Sequence, residues 1–336
     1  MRKFLLIFIH TTFLFLVGKA QNRDTGFFQP RMRVIVDNDF SGDPDGLFQL
    51  AQQVLSNSAE IRAVIGSHLH PKDWFDNTGT QADNAARKAK ELLTLLNADK
   101  SIPVLAGSNT GMPDARTAVA DKAVDFIIQE ARRTDTKAPL YIVCGAGLTE
   151  VASAVIKAPD IADKFTLVWI GGPEYSDLAF PPPNGSRVEY NLNIDTAAAR
   201  CIFNYTTVKL WQVPRNAYRQ CLVSLAELAD KVKPCGRVGA YLYESLASLL
   251  SKARNSRWNL GETYVLGDSP LVLLTALQSG FEADPASSAY VIKKLPLINA
   301  QGGYDDNPNG RPVRVYTHLD TRLMFDDLFS KLRLLK

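Results

Sequence analysis

Cysteine and histidine are scarce in this chain, with four of each in 336 residues. The cysteines, at positions 144, 201, 221 and 235, have no CxxC spacing, which argues against a zinc framework. No internal repeat and no low-complexity linker interrupts the chain. Beyond the N-terminus no second long apolar run suggests a membrane domain. No basic stripe suggests nucleic-acid binding. Disorder is excluded by composition, since 46% of residues are hydrophobic and 22% charged. The length fits one large α/β domain or two small ones.

The N-terminus stands apart. Arg2 and Lys3 precede an apolar run over residues 4–17, and Gly18-Lys19-Ala20 supplies small residues at cleavage-like spacing. This pattern predicts a secretory signal peptide over residues 1–20, leaving a domain over 21–336 that is exported, periplasmic or secreted. The alternative is an uncleaved anchor, for which the apolar stretch is short. Cleavage removes Arg2, Lys3 and Lys19 and brings the formal charge from +3 to zero. In an exported protein Cys221 could pair with Cys235 across a short loop. Cys144 and Cys201 sit in apolar segments and read as buried thiols. Asn184-Gly185-Ser186 and Asn204-Tyr205-Thr206 match the glycosylation sequon.

The mature part alternates strand-like and helix-like segments. Strands are expected over 33–36, 61–65, 140–143, 167–170 and 208–213. Helices are expected over 47–55, 81–96, 119–132, 148–156, 196–203, 225–232 and 237–252, with the last beginning near Ser269. Such alternation implies an α/β fold, a mainly parallel central sheet flanked by helices. In such sheets ligands bind at the carboxyl ends of the strands.

The first strand ends in Asp37-Asn38-Asp39-Phe40-Ser41-Gly42-Asp43-Pro44-Asp45. Four carboxylates within nine residues repel one another unless a cation neutralises them. Oxygen ligands without histidine or cysteine select a hard cation, calcium or magnesium. Gly42 allows a tight turn and Pro44 suits a helix start. An EF-hand loop would need a glutamate at its twelfth position, where Phe48 stands. A phosphatase of the haloacid dehalogenase type also places D-x-D after its first strand. It wants Thr or Val where Ser41 stands, and a second acid after Asp268 where residues 269–273 offer none. An aspartate-rich helix cap explains one or two of the aspartates, not four.

The chain resembles the inosine–uridine nucleoside hydrolase family, which opens with a strand and D-x-D-P-G-x-D-D. The acidic loop is a longer variant of that motif. Cys144-Gly145-Ala146-Gly147-Leu148-Thr149-Glu150 is similar to the family's T-G-G-L-T-N turn, and Val168-Trp169-Ile170-Gly171-Gly172 to its strand ending in M-G-G. Glu189-Tyr190-Asn191 with Asp195 resembles A-E-F-N…D-P-x-A, and Leu266-Gly267-Asp268 the late H-D motif. The likeness spans roughly residues 32 to 280.

The resemblance implies a bound Ca2+ held by Asp39, Asp45 and Asp268 with the Gly145 carbonyl. Either Asp43 or Asp45 would be the bidentate ligand, the other facing a ribose hydroxyl. Asp39 would be the general base for a metal-activated water. Glu189 and Asn191 would hold ribose hydroxyls, with Tyr190 packing near the sugar. His70 and Asn184 fall near family asparagines that touch the sugar, and His68 shares the strand end of His70. Trp74 could stack on a base or simply pack locally. The implied activity is hydrolysis of the N-glycosidic bond of a ribonucleoside or related riboside, a small-molecule partner. The family is commonly oligomeric, which implies a homo-oligomer. Two departures stand out: Gly46 replaces the second aspartate of the family's D-D pair, and Gly267 replaces a histidine that protonates the leaving base in several members. They motivate a second reading, a non-catalytic calcium-dependent sugar-binding protein on the same fold.

Overall fold

The structure, a computed structural model, describes residues 28–281 and 287–335. The signal peptide expected over residues 1–20 lies outside the described residues. The strands are β1 (Met32–Asn38), β2 (Ala59–Gly66), β3 (Val104–Ala106), β4 (Leu140–Cys144), β5 (Phe165–Ile170), β6 (Lys209–Val213), β7 (Leu222–Ser224), β8 (Thr263–Val265), β9 (Ala289–Lys294), β10 (Leu297–Ile298), β11 (Tyr304–Asp305) and β12 (Pro312–His318). The helices that matter below are α1 (Asp45–Val54), α2 (Gln81–Leu95), α3 (Lys122–Ala131), α4 (Thr149–Lys157), α5 (Tyr190–Ile194), α6 (Thr196–Tyr205), α7 (Arg215–Tyr218), α8 (Leu225–Lys231), α9 (Gly236–Asn255), α10 (Pro270–Leu273) and α11 (Thr321–Leu334).

Eight strands form one sheet in the order β3-β2-β1-β4-β5-β6-β12-β9. Every pairing in it is parallel except β12 with β9, which is antiparallel at the edge. The reason is legible in β1, which is buried along its whole length. Val34 and Val36 enter one apolar layer with Phe48, Leu92 and Leu328. Ile35 enters the other with Ile65, Ile142 and Trp169. A strand covered on both faces needs apolar residues at every position, and helices then layer on each side.

The alternation expected from sequence is present to β6. Past Ser269 the structure adds more than expected. The helix expected there is the single buried turn α10. Beyond it come the β9–β12 edge pair and the helix α11, which buries Met324, Leu328 and Leu332 at four-residue spacing. Among the described residues no helix is long and apolar enough to cross a membrane.

All four cysteines are buried free thiols, so the Cys221–Cys235 pairing is not made. Cys235 instead donates its Sγ hydrogen to the Lys231 carbonyl at the end of α8 (3.1 Å). Of the two sequon asparagines, Asn204 has its side-chain amide tied to the Ile298 backbone by two hydrogen bonds (3.0 and 2.9 Å).

β1 is flanked by β2 on one side and β4 on the other, and the chain leaves these neighbours in opposite directions across the sheet. The crevice at their carboxyl ends is where such a sheet binds ligands.

Candidate active site

β1 ends at Asn38, and the chain turns through a hydrogen bond from Gly42 N to the Asp39 carbonyl (2.7 Å) before α1 starts at Asp45. The turn sets Asp39, Asp43 and Asp45 around a cavity of about 280 Å3, together with Asp268 from the β8–α10 connection, Gly145 from the end of β4, and Glu189, Tyr190 and Asn191. Phe75, Tyr218 and Arg219 also line it. A larger hollow of about 580 Å3 lies along α9 between Glu244 and Ser256, but it has neither a carboxylate cluster nor an aromatic wall.

Asn38, which reads as a spacer in the motif, ties the cluster together. Its Oδ1 accepts from Asp39 N (2.8 Å) and its Nδ2 donates to Asp268 Oδ2 (2.9 Å). Asp45 closes the ring by accepting from Gly46 N (2.8 Å) and from Asp268 N (3.2 Å). Asp43 accepts from Asp45 N (3.1 Å) and from the Tyr264 hydroxyl (2.8 Å). Among the described residues no other residue donates a hydrogen bond to the Asp39 carboxylate, which leaves it available to the cavity.

These carboxyls are held away from their ordinary acidity. Burial, then the charges of Asp268, Asp43 and Asp73, push Asp39 well up. Asp45 rises likewise through burial and the charges of Asp268, Asp43 and Asp39. Burial lifts Asp43 to about 6 and Asp268 to about 7, with the Tyr264 and Asn38 hydrogen bonds pulling the other way. None of the four forms an ion pair among the described residues; the buried pairs, Arg33–Glu130 and Arg215–Glu174, lie elsewhere. The donor set therefore suits a hard divalent cation: four carboxylates and a backbone carbonyl, all oxygen, with no ion pair to any of the carboxylates among the described residues. Among the described residues no three acidic, histidine or cysteine groups are drawn together into a finished metal cage. The fit rests on donor chemistry and on the lack of any ion pair to these carboxylates among the described residues.

Asp37 does not join them. It lies on the other face of β1, where Ser67 Oγ donates to it and burial raises it to about 7. Glu150, at the start of α4, is buried nearby, and burial and the Asp37 charge raise it well up. These two form an acidic layer beneath the cavity.

The glycines of the site have unequal roles. A Cβ on Gly145 would stand 2.5 Å from Asn38 Nδ2 and 2.6 Å from Asp268 Oδ1. A Cβ on Gly46 would meet the Asn38 amide at 2.9 Å. Gly46 thus stands where it does because Asn38 fills the space beside it. A Cβ on Gly267 would touch Asp45 Oδ2 at 3.4 Å and the Tyr218 ring at 3.5 Å, ordinary contact distances. Gly145→Ala is therefore expected to cost about 1–3 kcal/mol and to lower kcat/KM at least about tenfold. Gly267→Ala is expected to stay within about 0.5 kcal/mol of the parent. Thermal denaturation and steady-state kinetics of the two variants check both, and equal effects would contradict the packing described.

The structure places three expected residues outside the cavity lining. His70 is exposed, and its Nδ1 bonds the Pro71 carbonyl (3.1 Å). Asn184 is exposed in the loop after the proline run, at φ 59°. Trp74 packs edge-on against Phe75 (5.2 Å) and Trp258 (5.7 Å), with Lys252 over its ring. Phe75 rather than Trp74 faces the cavity, an aromatic wall it shares with Tyr190 (6.3 Å). Tyr190 in turn donates its hydroxyl to Asp73 (2.9 Å). His68 is buried, with both ring nitrogens engaged, by the Leu69 carbonyl and by the Thr149 hydroxyl (2.8 and 2.9 Å).

Asn191 donates both amide hydrogens, to the Gly145 carbonyl (3.1 Å) and to the Ile170 carbonyl (2.8 Å). Only its Oδ1 is left to meet a ligand, and as an acceptor. Gly172, at φ 88°, turns its N–H toward Glu189 Oε2 (2.8 Å), and a Cβ there would strike Gln212 and Tyr304. That geometry explains the paired glycines at the end of β5.

A mainly parallel sheet that gathers buried oxygen donors and an aromatic wall at the carboxyl ends of its strands has the architecture of an α/β enzyme site. Residues 34–322 match the sequence model described as inosine-uridine preferring nucleoside hydrolase, and the chain belongs to that family. Solved structures agree in fold. A purine-preferring ribonucleoside hydrolase from Gardnerella vaginalis is 18% identical, with 90% of this chain and 98% of that one covered and a TM-score of 0.68. The inosine-uridine preferring nucleoside hydrolase from Bacillus anthracis is 15% identical, with 90% and 99% covered and a TM-score of 0.62. A nucleoside hydrolase-related protein from Saccharophagus degradans, associated with carbohydrate metabolism, is 16% identical, with 91% and 72% covered and a TM-score of 0.58. No curated protein matches the chain by sequence.

Proposed function

We propose that the protein hydrolyses the N-glycosidic bond of a ribonucleoside or related riboside, that it depends on calcium, and that Asp39 is its general base. The observation that carries this is the buried ring of Asp39, Asp43, Asp45 and Asp268, which makes no ion pair among the described residues, beside the free acceptor of Asn191 and the Phe75–Tyr190 wall. When bound, a divalent cation supplies acidity to water and an anchor for a sugar diol. Asp39, Asp45 and Asp268, with the Gly145 carbonyl, would hold it.

The chain's own residues do the rest. Asp39, whose carboxylate takes no hydrogen bond from another described residue, takes the proton of the attacking water. Asn191 Oδ1 accepts from a sugar hydroxyl and orients the ring. The remaining carboxylates stabilise positive charge developing on the sugar as the base departs. Phe75 and Tyr190 flank the departing base and exclude water. Gly267 donates no proton, so the base departs without a side-chain acid at that position.

This is a small-molecule enzyme in its partners, and its export rests on the N-terminal sequence. The family match displaces the phosphatase alternative. Incubation with inosine and uridine tests the reading: free ribose and free base should appear in equal amounts. Tight nucleoside binding with no ribose release would favour the non-catalytic sugar-binding alternative.

A further inference from the structure

Three buried side chains outside the cavity lining meet in a line. His68 follows β2, Thr149 opens α4 after β4, and Asp195 lies between α5 and α6. They are 2%, 1% and 5% exposed. Nδ1 of His68 lies 2.8 Å from the Leu69 carbonyl, which can only accept, so Nδ1 carries a hydrogen. Nε2 lies 2.9 Å from Thr149 Oγ1. Thr149 has a single hydroxyl hydrogen and gives it to Asp195 Oδ2 (2.7 Å). That carboxylate also accepts from Met112 N on Oδ2 (2.8 Å) and from Ala198 N on Oδ1 (2.9 Å), a set that favours its ionised form. Thr149 therefore offers Nε2 only lone pairs, and Nε2 must donate as well.

An imidazole that donates from both nitrogens is an imidazolium. Its charge answers that of Asp195, which makes no ion pair with a lysine or arginine among the described residues. A buried carboxylate is costly unless a counter-charge shares its burial. Of the acids on the adjoining elements, Glu150 accepts from Ser108 N (2.9 Å), Asp121 from Val124 N (2.8 Å) and Asp37 from Ser67 Oγ, and none of them bonds the ring.

The relay joins two segments that meet at the cavity. Thr149 closes the turn that carries the Gly145 carbonyl, and Asp195 follows the helix that carries Asn191, whose Nδ2 donates to that carbonyl (3.1 Å). The turn lies directly against the end of that helix, since a Cβ on Gly147 would stand 2.8 Å from Ile194 Cγ2. At its other nitrogen the ring bonds Leu69, whose side chain packs on Gly42 of the acidic loop, 2.7 Å from where a Cβ would lie.

We propose that His68 is a positioning residue that keeps both ring hydrogens in the folded enzyme and, through Thr149 and Asp195, holds the Gly145 turn against the Asn191 helix. A ring with one hydrogen would keep only one of its two bonds while Thr149 donates to Asp195. The inference rests on the nucleosidase reading for its kinetic arm alone.

Proton–nitrogen correlation NMR of the calcium-loaded protein counts the hydrogens, with the His68 ring assigned by its loss in His68→Asn. Both nitrogens are expected to be protonated at about pH 7.5, where an imidazole free in water is mostly neutral. The relay is then cut at Thr149. Thr149→Val keeps the shape and removes the hydroxyl, whereas Thr149→Ser keeps the hydroxyl and removes the methyl. The valine variant is expected to leave the ring with one hydrogen and to raise KM for inosine about tenfold, in keeping with one lost buried hydrogen bond, with kcat within about threefold. The serine variant should keep both hydrogens and stay within about threefold of the parent in both constants. A role in packing alone predicts the reverse order, with valine tolerated and serine not. A singly protonated ring in the unaltered protein, an arm that needs no variant to fold, would overturn the proposal. So would a Thr149→Val enzyme that matches the parent in KM. If the enzyme releases no ribose, nucleoside Kd by calorimetry replaces KM. Binding without ribose release sinks the nucleosidase reading alone, and a singly protonated ring sinks this one alone. The ring count decides even if no nucleoside binds.

Discussion

Asp39→Asn lowers kcat for ribose release by about a thousandfold, in the range set by losing a positioned general base, and does so without unfolding the protein. Asp39 is the one carboxylate of the ring that takes no hydrogen bond from another residue among those described, whereas Asp43, Asp45 and Asp268 each accept one or more. An asparagine keeps its shape and loses its basicity. It also removes one of several mutually repelling buried charges, so the ion-free variant melts no lower than the parent. Losing activity and stability together would instead assign Asp39 a structural role. Full activity would move the base elsewhere in the ring.

The second large effect is on stability. Burial raises Asp37 and Asp268 to about 7 and Asp43 to about 6, against an ordinary value of 3.8 for the unfolded chain. The ion-free native state thus binds more protons than the unfolded state between these values, and its stability falls as pH rises from about 4 toward 7. Above that window the loss is complete for these three groups. A bound cation reverses the balance for the carboxylates that face it, because it favours the charged form. Chelated protein should therefore lose about 5 °C or more in Tm between pH 4.5 and 7.5 relative to calcium-loaded protein. Parallel melting curves in the two conditions would show that no cation compensates the ring.

The ring itself was legible in the sequence because its members are adjacent. Three of the four lie within seven residues at the end of one strand, with Gly42 and Pro44 marking the turn and the helix start. Its supports were not. Asn38 and Asp268 meet across 230 residues, and Tyr264 reaches Asp43 across 221, contacts that depend on the order of the strands. Trp74 offers the larger ring in the sequence, but it packs against Trp258 and beneath Lys252, and Phe75 lines the cavity in its place. Glu189 and Asn191 were found by motif, but their roles depend on which lone pairs and hydrogens are already used. The β9–β12 edge was missed because antiparallel strands at the margin of a parallel sheet break the βα rhythm that identified the others.

The central claim, that the aspartate ring is a calcium-dependent centre for N-ribosyl hydrolysis, is tested most directly by one measurement. Ribose release from inosine and uridine is followed with chelated protein, before and after calcium is restored. The expected result is no release under chelation and full recovery on adding calcium. Undiminished release under exhaustive chelation would contradict it.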